Sequence, residues 1–413
     1  MVPLKTLYFH QHFSVPSGPG GIRSYGMARC LVGRGHKVTM VCGSFIGSHT
    51  GLEGPFINGQ RRGIVDGIDV VEFDLKYSNT DSFFSRTWTF LKYVFRSLIL
   101  IFTEKYDLVF ATTTPLTAGI PGVVAKYLRR KPFIFEVRDL WPELPKAMGV
   151  IKNPLILTLM SMLEWVSYHS ADHLIALSPG IAAGIKKRGI DAGLISFIPN
   201  GCDLDIFDGT SELWRPKGVS NTDFLAIFAG THGVANGLSN VLDTAAELCL
   251  RKRNDIKIVL IGNGRLKPSL IERVNRDGLS NVFFHEPVNK KELAGLMSSA
   301  DLGLQTLANI KAFYYGTSPN KFFDYIAGGL PVLINYPGWI ADMVVENGAG
   351  FFVRPEDPIS FADALEIAAD DRADLKTKGL NARRLAAENF DRKAQASDWV
   401  DILELCFSTA GKH

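Results

Sequence analysis

The 413-residue sequence has few cysteines, little net charge and no long hydrophobic run. Its five cysteines include no Cys-x-x-Cys pair, which argues against a zinc site and favours reduced thiols in the cytoplasm. The 45 basic and 42 acidic side chains leave a net charge of +3, too small to indicate nucleic-acid binding. No stretch approaches the roughly 18 apolar residues of a membrane span. The first residues lack the order of a secretion signal, so we expect a cytoplasmic protein.

The chain alternates apolar strands with helices, and this pattern restarts halfway. Such alternation predicts a parallel, doubly wound α/β sheet. Since a domain usually has about 100–200 residues, a chain of this length is expected to form two such domains. The predicted boundaries are a first domain over 1–200, a hinge over 201–219, a second domain over 220–390 and a C-terminal helix over 391–413 that packs back on the first domain. Ligands of such folds bind at the carboxyl ends of the strands, in a cleft that the domains face.

The segment Tyr315–Leu333 has the features of a loop, a short helix and a buried strand. Ser318 is of the type that caps a helix N-terminus, and Pro319 suits the first helical position, where no N–H is needed. Gly328 and Gly329 are predicted to end the helix in left-handed conformations. The segment is therefore predicted to form a helix with free amides at its start.

The start of this helix has the residues expected of a nucleoside diphosphate site. Free helix amides and a lysine suit a phosphate, and Ser318, Asn320 and Lys321 lie around the first turn. Asp324 follows Lys321 by three residues, so the two side chains share a helix face. A carboxylate there suits a pair of sugar hydroxyls, and the helix therefore predicts a pocket for a nucleoside diphosphate.

A glycine-rich loop that includes Gly20 and Gly21 precedes the first predicted helix. Glycines let a backbone come close to a phosphate, and a helix N-terminus favours negative charge. The loop has neither the spacing of a dinucleotide site nor the Gly-Lys-Ser/Thr of a P-loop. On the residues alone, a flexible crossover loop is the stronger interpretation.

Charged and aromatic residues follow one strand of the first domain, at the end that faces the predicted cleft. Arg138 suits an anion, Asp139 suits a hydroxyl that must be oriented or deprotonated, and Trp141 suits stacking on a sugar. The alternative is a surface salt bridge among Glu136, Arg138 and Glu143. We favour the functional interpretation because Trp141 adds a stiff aromatic wall.

Two strand ends of the second domain have small and basic residues. His232 follows the first strand and suits a phosphate or a sugar hydroxyl, although a lone histidine is more often structural. Gly262 and Gly264 end another strand and are followed by Arg265 and Lys267. Basic residues beside two glycines favour a diphosphate role over a solvated surface, and a charge-assisted contact there contributes about 1.5–3 kcal/mol.

Residues 83–105 combine aromatic and aliphatic side chains with interleaved lysines and arginines. A basic amphipathic helix rich in aromatics can lie in a membrane interface. The alternative is a helix docked on the sheet, whose apolar stripe belongs to the core. Periodicity alone does not separate the two interpretations.

Taken in order, these segments resemble the retaining glycosyltransferases of family 4, which have the GT-B fold. More narrowly, the chain is similar to the branch that builds bacterial surface polysaccharides, such as O-antigen, colanic acid or capsule, on lipid carriers. The resemblance covers nearly the whole chain and implies two Rossmann-like domains facing a cleft, an acceptor-side one followed by a nucleotide-sugar-binding one. The segments that support it are Gly20–Gly21, Arg138–Pro142, Ile198–Asp203, Gly262–Gly264 and Pro319–Tyr325.

The resemblance also shows where the chain departs from the family. The family pattern has two glutamates separated by seven residues, and the second falls on Asp324, which implies a contact to the ribose. The first falls on Gly316, which has no side chain for the donor sugar. The arginine and lysine that the family has after the second domain's first strand fall on Thr231 and Asn236.

The diphosphate charge must then be met by other residues. The candidates are Lys321, Arg265 and Lys267, and the resemblance places a contact to the base near Val288. On this view Asp139, Lys321 and Arg265 are the catalytic residues, with Asp139 positioning the acceptor hydroxyl.

The reaction implied by the resemblance moves a sugar from a nucleotide to an acceptor hydroxyl with retention at the anomeric carbon. The expected donor is a UDP-sugar, with an N-acetylated hexosamine or a deoxyhexosamine among the candidate sugars. The expected acceptor is a polyprenyl-diphosphate-linked saccharide at the inner face of the bacterial inner membrane, which residues 83–105 are expected to contact through anionic lipid. No cofactor and no divalent metal are expected, since helix amides and cationic side chains stabilise the leaving diphosphate.

Three alternatives remain at this point. A sugar-nucleotide epimerase shares the two-domain cleft and needs no acceptor. A non-catalytic scaffold that binds sugar nucleotides fits the absence of a side chain at Gly316. A dehydrogenase is the least supported, because the dinucleotide fingerprint is missing.

Overall fold

The computed structural model describes residues 3–18, 20–45, 49–76 and 83–410, and for residues 83, 84 and 410 the backbone only. Pro19 of the glycine loop, the side chains of Phe83 and Phe84 in the predicted membrane-contact segment, and residues 411–413 of the predicted C-terminal helix lie outside this description. Two compact units are present. The first comprises Met1–Pro199, Tyr315–Ser318 and Arg392–His413, and the second Asn200–Tyr314 and Pro319–Asp391.

The first unit is built on an eight-stranded sheet with the strand order β3-β4-β2-β1-β5-β6-β7-β8. All neighbouring strands run parallel except β3, which pairs antiparallel with β4. Its elements are β1 Lys5–Phe9, α1 Arg23–Gly33, β2 Lys37–Gly43, β3 Gln60–Val65, β4 Ile68–Phe73, α2 Phe83–Thr103, β5 Leu108–Thr112, α3 Gly119–Arg129, β6 Phe133–Val137, α4 Glu143–Ala147, α5 Pro154–Ser170, β7 His173–Ala176, α6 Pro179–Lys187 and β8 Ile195–Phe197.

The second unit is built on a six-stranded, fully parallel sheet with the order β11-β10-β9-β12-β13-β14. Its elements are β9 Phe224–Ala229, α7 Leu238–Leu250, β10 Ile256–Ile261, α8 Lys267–Arg276, β11 Val282–His285, α9 Lys290–Ser299, β12 Leu302–Gln305, α10 Lys311–Gly316 (whose last two residues belong to the first unit), α11 Asn320–Ala327, β13 Val332–Ile334, α12 Trp339–Glu346, β14 Gly350–Phe352, α13 Pro358–Asp370 and α14 Arg372–Asn389. The predicted fold class, two doubly wound α/β domains, is thereby confirmed.

In each sheet the order in which successive strands are added reverses at the first strand. This reversal determines where a ligand is expected to bind. In the first sheet β1 lies between β2 and β5, and in the second β9 lies between β10 and β12. Ligands of open parallel sheets bind outside the carboxyl ends of the strands at such a reversal. Ligand-binding residues are therefore expected in the loops after β1, β5 and β6 of the first unit and after β9 and β10 of the second.

The last helix, α15 Arg392–Ala410, belongs to the first unit and packs along α1. Trp399 of α15 is fully buried, and its ring centroid lies 5.8 Å from that of Tyr8 and 4.9 Å from that of Phe110. One face of the first sheet is thus covered by α1 and α15, while α2, α3, α5 and α6 cover the other.

Helix α2 docks on the sheet, as one of the two interpretations of residues 83–105 predicts. Tyr93, Leu100 and Ile101 point into the core beneath it. Phe95 and Trp88 remain 68% and 60% exposed on the opposite side. The helix therefore docks on the sheet with one apolar face and leaves a second apolar face uncovered. Among the described helices, none has both the length and the apolarity needed to cross a bilayer.

Helix α11 begins one residue later than the sequence predicts. Pro319, with extended dihedral angles of φ −76° and ψ 126°, is itself the N-cap residue, and no side chain caps the helix. The prediction that Ser318 is the cap and Pro319 the first helical residue is therefore wrong, because Pro319 takes an extended conformation and leaves Ser318 outside the helix. At the other end only Gly329 is left-handed, with φ +65°, while Gly328 stays in the right-handed region.

Candidate active site

Lys321 in the first turn of α11 is a cation of the second unit with a strongly lowered pKa. Its Nζ donates a hydrogen bond to Oδ1 of Asn236 at 2.7 Å and lies 4.7 Å from the ring centroid of Phe228. Burial lowers the pKa of this ammonium to about 7. A lysine held this way gains most from an anionic ligand, because a nearby negative charge restores its protonated form.

Asn236 connects Lys321 to the loop after β9. Its Nδ2 donates to the carbonyl oxygen of Thr231 at 2.7 Å, and its own carbonyl oxygen accepts from Oγ1 of Thr306 at 2.9 Å. The resemblance places a family lysine at position 236, so the ammonium of Lys321 is bonded to the side chain that stands in that place. The loop after β9 is thus joined to the cation of α11 by a hydrogen bond.

Asp324, one turn further along α11, is bound in an ion pair. Both carboxylate oxygens lie 2.5 Å from Nζ of Lys290, and both residues are buried. Lys290 begins α9, directly after Val288 and the N-cap residue Asn289, whose side chain forms a capping box. A sugar hydroxyl at Asp324 would share the carboxylate with Lys290, and the half-buried Val288 lies two residues from this pair.

The glycines after β10 are required by the packing of neighbouring loops. A Cβ atom on Gly262, which has φ +137°, would lie 1.9 Å from the carbonyl oxygen of Gly230. A Cβ on Gly264 would lie 2.6 Å from the carbonyl oxygen of His232. Both positions therefore need glycine for protein packing, before any ligand is considered.

The two basic residues after these glycines have different surroundings. The buried Lys267 donates to the carbonyl oxygens of Gly262 at 2.9 Å and His285 at 3.2 Å, and to the carboxylate of Glu286 at 2.7 Å. These acceptors account for the three protons of its ammonium, so a diphosphate contact would need one of them released. Arg265 is exposed and has no hydrogen-bond partner among the described residues.

His232 lies fully buried between the rings of Phe228 and Phe284, with centroid distances of 6.2 and 5.9 Å. Neither ring nitrogen has a hydrogen-bond partner within the described part of the chain. Burial, aided by the charge of Lys267, lowers the pKa of His232 to about 4, so the ring is neutral at neutral pH. In this structure it contributes packing, with one unused donor and one unused acceptor.

In the first unit, Arg138 and Asp139 follow β6 as the sequence predicts. A guanidinium nitrogen of Arg138 lies 3.2 Å from Nε2 of His10, the residue that follows β1, and the backbone N–H of Arg138 donates to Oγ1 of Thr113. Oδ2 of Asp139 accepts from Oγ1 of Thr114 at 3.2 Å. Burial raises the pKa of Asp139, and the charge of Arg138 opposes the rise. Burial and Arg138 both lower the pKa of His10.

The proposed alternative of a surface salt bridge among Glu136, Arg138 and Glu143 is wrong, because Glu136 is fully buried. It pairs with Arg23 of α1 through two hydrogen bonds of 2.8 and 2.9 Å and accepts a third, of 2.8 Å, from Oγ1 of Thr112. Burial alone would raise the pKa of Glu136, but Arg23 and Arg138 outweigh it and lower the pKa.

The other predicted positions have the following places in the fold. Gly20 and Gly21 lie directly before α1, and Trp141 packs partly buried against the core of the first unit. Asn320 is the first residue of α11. Gly316 ends α10, and a Cβ on it would meet no other heavy atom within 4 Å.

Sequence reasoning missed four residues that organise the sites: His10, Arg23, Thr114 and Lys290. His10 could have been found, since it directly follows a buried strand at the sheet reversal. Arg23 and Lys290 could not, because their acidic partners lie 113 and 34 residues away along the chain.

Two protein families match this chain in succession. Residues 20–201 match the family described as Glycosyl transferase 4-like domain, and residues 223–371 match the family described as Glycosyl transferases group 1. Together the two matched ranges take up most of both structural units.

Similar proteins agree with these matches. A D-inositol 3-phosphate glycosyltransferase from Arthrobacter sp. (strain FB24) is 28% identical over 230 residues, which are 53% of this chain and 52% of that protein. The chain thus spans about half the length of this curated relative. Among solved structures, sucrose-phosphate synthase from Thermosynechococcus elongatus superposes with a TM-score of 0.75 at 16% identity, covering 98% of this chain and all of that one. Anabaena HepE in complex with UDP-glucose gives 0.68 at 18% identity, covering 97% and 99%.

Proposed function

Since the chain belongs to the GT-B glycosyltransferases, with a glycosyl transferase 4-like domain followed by a glycosyl transferases group 1 domain, we propose that it is a retaining sugar transferase. The proposed donor is a UDP-sugar, and the proposed acceptor is a saccharide linked to polyprenyl diphosphate. The proposed pathway is the synthesis of a bacterial surface polysaccharide such as O-antigen, colanic acid or capsule.

The observation that supports the donor site most directly is the ammonium of Lys321 at the start of α11, bonded to Asn236. In the proposed reaction the bond between the sugar's anomeric carbon and the diphosphate oxygen breaks, and the acceptor oxygen bonds to that carbon on the same face. The acceptor proton passes to the leaving diphosphate. Lys321 and the free amides of α11 face the charge that develops, with no divalent metal required. A UDP-sugar donor is further supported by HepE, a structural neighbour that was crystallised with UDP-glucose.

The acceptor side is proposed to be the group around Arg138 in the first unit. Its guanidinium suits a phosphate, and Asp139, whose pKa is raised by burial, suits a hydroxyl held for attack. Two similar proteins are named for phosphorylated polyhydroxy compounds, the cyclitol D-inositol 3-phosphate and the sugar sucrose phosphate. A soluble sugar phosphate is therefore the second candidate acceptor, and it would use the same arginine.

The test is an assay of UDP release from UDP-sugars with polyprenyl-diphosphate-linked saccharides, with sugar phosphates, or with no acceptor. Release that depends on the lipid-linked acceptor and survives EDTA, with a product of unchanged anomeric configuration by NMR, is the expected result. Conversion of the donor sugar without any acceptor would instead indicate an epimerase. Binding of UDP without turnover of any donor would indicate a non-catalytic scaffold.

Donor binding should depend on pH through Lys321. In the protein without ligand, the pKa of Lys321 is lowered to about 7. Above that pH, binding of a diphosphate that favours the charged ammonium must be accompanied by uptake of a proton by Lys321. We expect UDP-glucose affinity to fall by up to about tenfold per pH unit above pH 7. Calorimetry at pH 6.5 and 8.5, in buffers of different ionisation enthalpy, measures the proton uptake. The uptake should vanish in Lys321→Met, and its persistence there would assign it to another group.

Restoring the family glutamate should be structurally harmless. Since a Cβ at Gly316 meets open space and its φ is not positive, Gly316→Glu is expected to change stability by no more than about 0.5 kcal/mol. If the glutamate contacts the donor sugar as the resemblance implies, KM for the UDP-sugar should fall while Kd for UDP stays constant. Gly316→Ala is the control, and equal effects of both substitutions on KM would rule out a sugar contact.

The proposed location is the cytoplasmic face of the inner membrane, held by peripheral contact through residues 83–105. The uncovered apolar face of α2 supports it, with the exposed Lys92 placed 5.5 Å from the ring centroid of Trp88. Amphipathic helices with basic and aromatic residues bind anionic interfaces in this way.

A further inference from the structure

The uncovered apolar surface of the first unit extends well beyond α2. Helix α3 packs against α2 on one side and α5 on the other, and all three cover the same face of the sheet. Their outward sides carry a set of large apolar side chains, which we call the three-helix face. Its members are Trp88, Leu91, Phe95, Ile99 and Phe102 on α2, Tyr127 and Leu128 on α3, and Leu155, Leu159, Met162, Trp165 and Val166 on α5.

The exposed apolar residues recur with the spacing of an α-helical turn. On α5 the exposed residues recur at positions 155, 159, 162 and 166, three or four residues apart, so they form one stripe along the helix. Met162 is 60% exposed and Trp165 is 52% exposed. By contrast, α1 on the opposite side of the sheet carries no exposed large apolar side chain along Arg23–Gly33. Contiguous apolar surface of this kind marks an interaction site, whereas single exposed residues do not.

The charges on these helices indicate what covers them. The three helices contain five basic residues, Arg86, Lys92, Arg96, Lys126 and Arg129, and one acidic residue, Glu164. Glu164 is 3% exposed and pairs with Arg188 at 2.6 Å, so it adds no negative charge to the outer surface. Lys126 pairs with Asp172, and Arg96 donates to the carbonyl oxygen of Gly59, so these two cations are already engaged within the first unit.

The exposed charged side chains on these three helices are Lys92 and Arg129, both cationic, and an apolar surface that carries such cations fits an anionic lipid interface. It fits a second copy of the chain poorly, because a two-fold contact would bring the same cations together. Tryptophans such as Trp88 and Trp165, one on each outer helix, are the residues that prefer the headgroup level of a bilayer.

We propose that the three-helix face is the surface by which the first unit lies on an anionic phospholipid bilayer, with α5 contributing as much as α2. The purpose of this contact rests on the proposed lipid-linked acceptor, because a membrane-bound enzyme meets such an acceptor where its polyprenyl chain is embedded. The contact itself is a property of the first unit and can be measured without turnover.

The first test changes α5 alone, in the full chain. The double variant Leu159→Gln/Met162→Gln replaces two exposed apolar side chains, so it should fold normally. Its partition onto vesicles of phosphatidylcholine with 30 mol% phosphatidylglycerol should drop by at least about tenfold, as measured by co-sedimentation. The matched control is Ile367→Gln/Leu380→Gln, which changes two equally exposed residues on helices of the second unit and should leave partitioning unchanged.

The second test changes charge. Lys92→Gln/Arg129→Gln should lower binding to the phosphatidylglycerol vesicles about tenfold and leave the weaker binding to pure phosphatidylcholine unaltered. Calorimetry with UDP-glucose on every variant keeps this inference separate from the proposed donor site. Loss of vesicle binding with retained UDP-glucose binding supports the three-helix face, and absence of UDP-glucose binding throughout would remove the donor proposal alone.

Two results would overturn the inference. One is vesicle binding that survives both α5 substitutions while Trp88→Ala abolishes it, since α5 would then lie outside the contact. The other is a dimer in sedimentation velocity that Leu159→Gln/Met162→Gln converts to monomer, since a second copy would then cover the face.

Discussion

Lys321→Ala is expected to abolish most sugar transfer, lowering the turnover rate about 10²- to 10³-fold and weakening UDP binding about tenfold or more. The reason is that the loop after β9 carries Thr231 and Asn236 in place of the family's arginine and lysine. Lys321 is the cation bonded to Asn236 and has no basic neighbour there to replace it among the described contacts. The measurement is single-turnover transfer together with calorimetry of UDP.

The same substitution should not weaken the fold. Burial lowers the pKa of Lys321 to about 7, so the charged lysine destabilises the folded state. This destabilisation is complete below about pH 7 and decreases as the pH rises towards the ordinary pKa of lysine. Lys321→Met should therefore unfold at an equal or higher temperature at pH 6 while losing activity. Lys376→Ala, at an exposed lysine of the same unit, is the control and should keep full activity. A Lys321→Ala enzyme with normal UDP affinity would contradict the donor site.

Arg23→Met is expected to cost about 3–5 kcal/mol of stability, the largest structural effect of any single substitution considered. It leaves the carboxylate of Glu136 buried without its partner and removes the hydrogen bond from Arg23 to the carbonyl oxygen of Ile198 at 2.9 Å. Calorimetric unfolding of the first unit measures the loss. The matched control is Arg29→Met, which changes an exposed arginine of the same helix.

The pH dependence of this variant has a defined sign. In the native protein the pKa of Glu136 is lowered, so the pair stabilises the fold above the usual carboxyl range and the contribution is lost as pH falls through the lowered pKa. Without Arg23 the carboxylate is penalised at neutral pH, and the variant should become relatively more stable on acidification. Adding Glu136→Gln to Arg23→Met should recover part of the loss. An unchanged unfolding temperature in Arg23→Met would show that the pair contributes no net stability.

The strands of both sheets could be predicted from the sequence because a buried parallel strand is a short apolar run bounded by turn residues. The apolar run Leu108–Thr112, for example, coincides with β5. Two strands were not predicted: β14 Gly350–Phe352, which has only three residues, and β3 Gln60–Val65, an antiparallel edge strand with alternating exposure. The pattern of β3 is the harder one to recognise. Its two arginines and its glycine hide the pattern, and the partner strand that stabilises it lies beyond a turn.

The site was predictable only in part, because side-chain pairing across the chain has no sequence signature. Lys321 was identified from its place at a helix start, and the structure adds its bond to Asn236, 85 residues away. Glu136 was predicted, in one alternative, to form a surface salt bridge, because charged residues are usually exposed. In the structure its carboxylate is buried, and the ion pair with Arg23 offsets the cost of that burial. The pairing of Asp324 with Lys290 was likewise invisible, since it depends on how α9 and α11 pack.

The position of Trp399 in the first unit has a consequence for how the protein is made. The aromatic partners of this indole, Tyr8 and Phe110, leave the ribosome about four hundred and about three hundred residues before it does. During translation the nascent N-terminal sheet therefore has one face covered by α1 alone until Arg392–Ala410 emerges. Chaperones should engage it in that interval, and a fragment expressed as 1–199 should be prone to aggregate unless the last helix is supplied as a separate peptide.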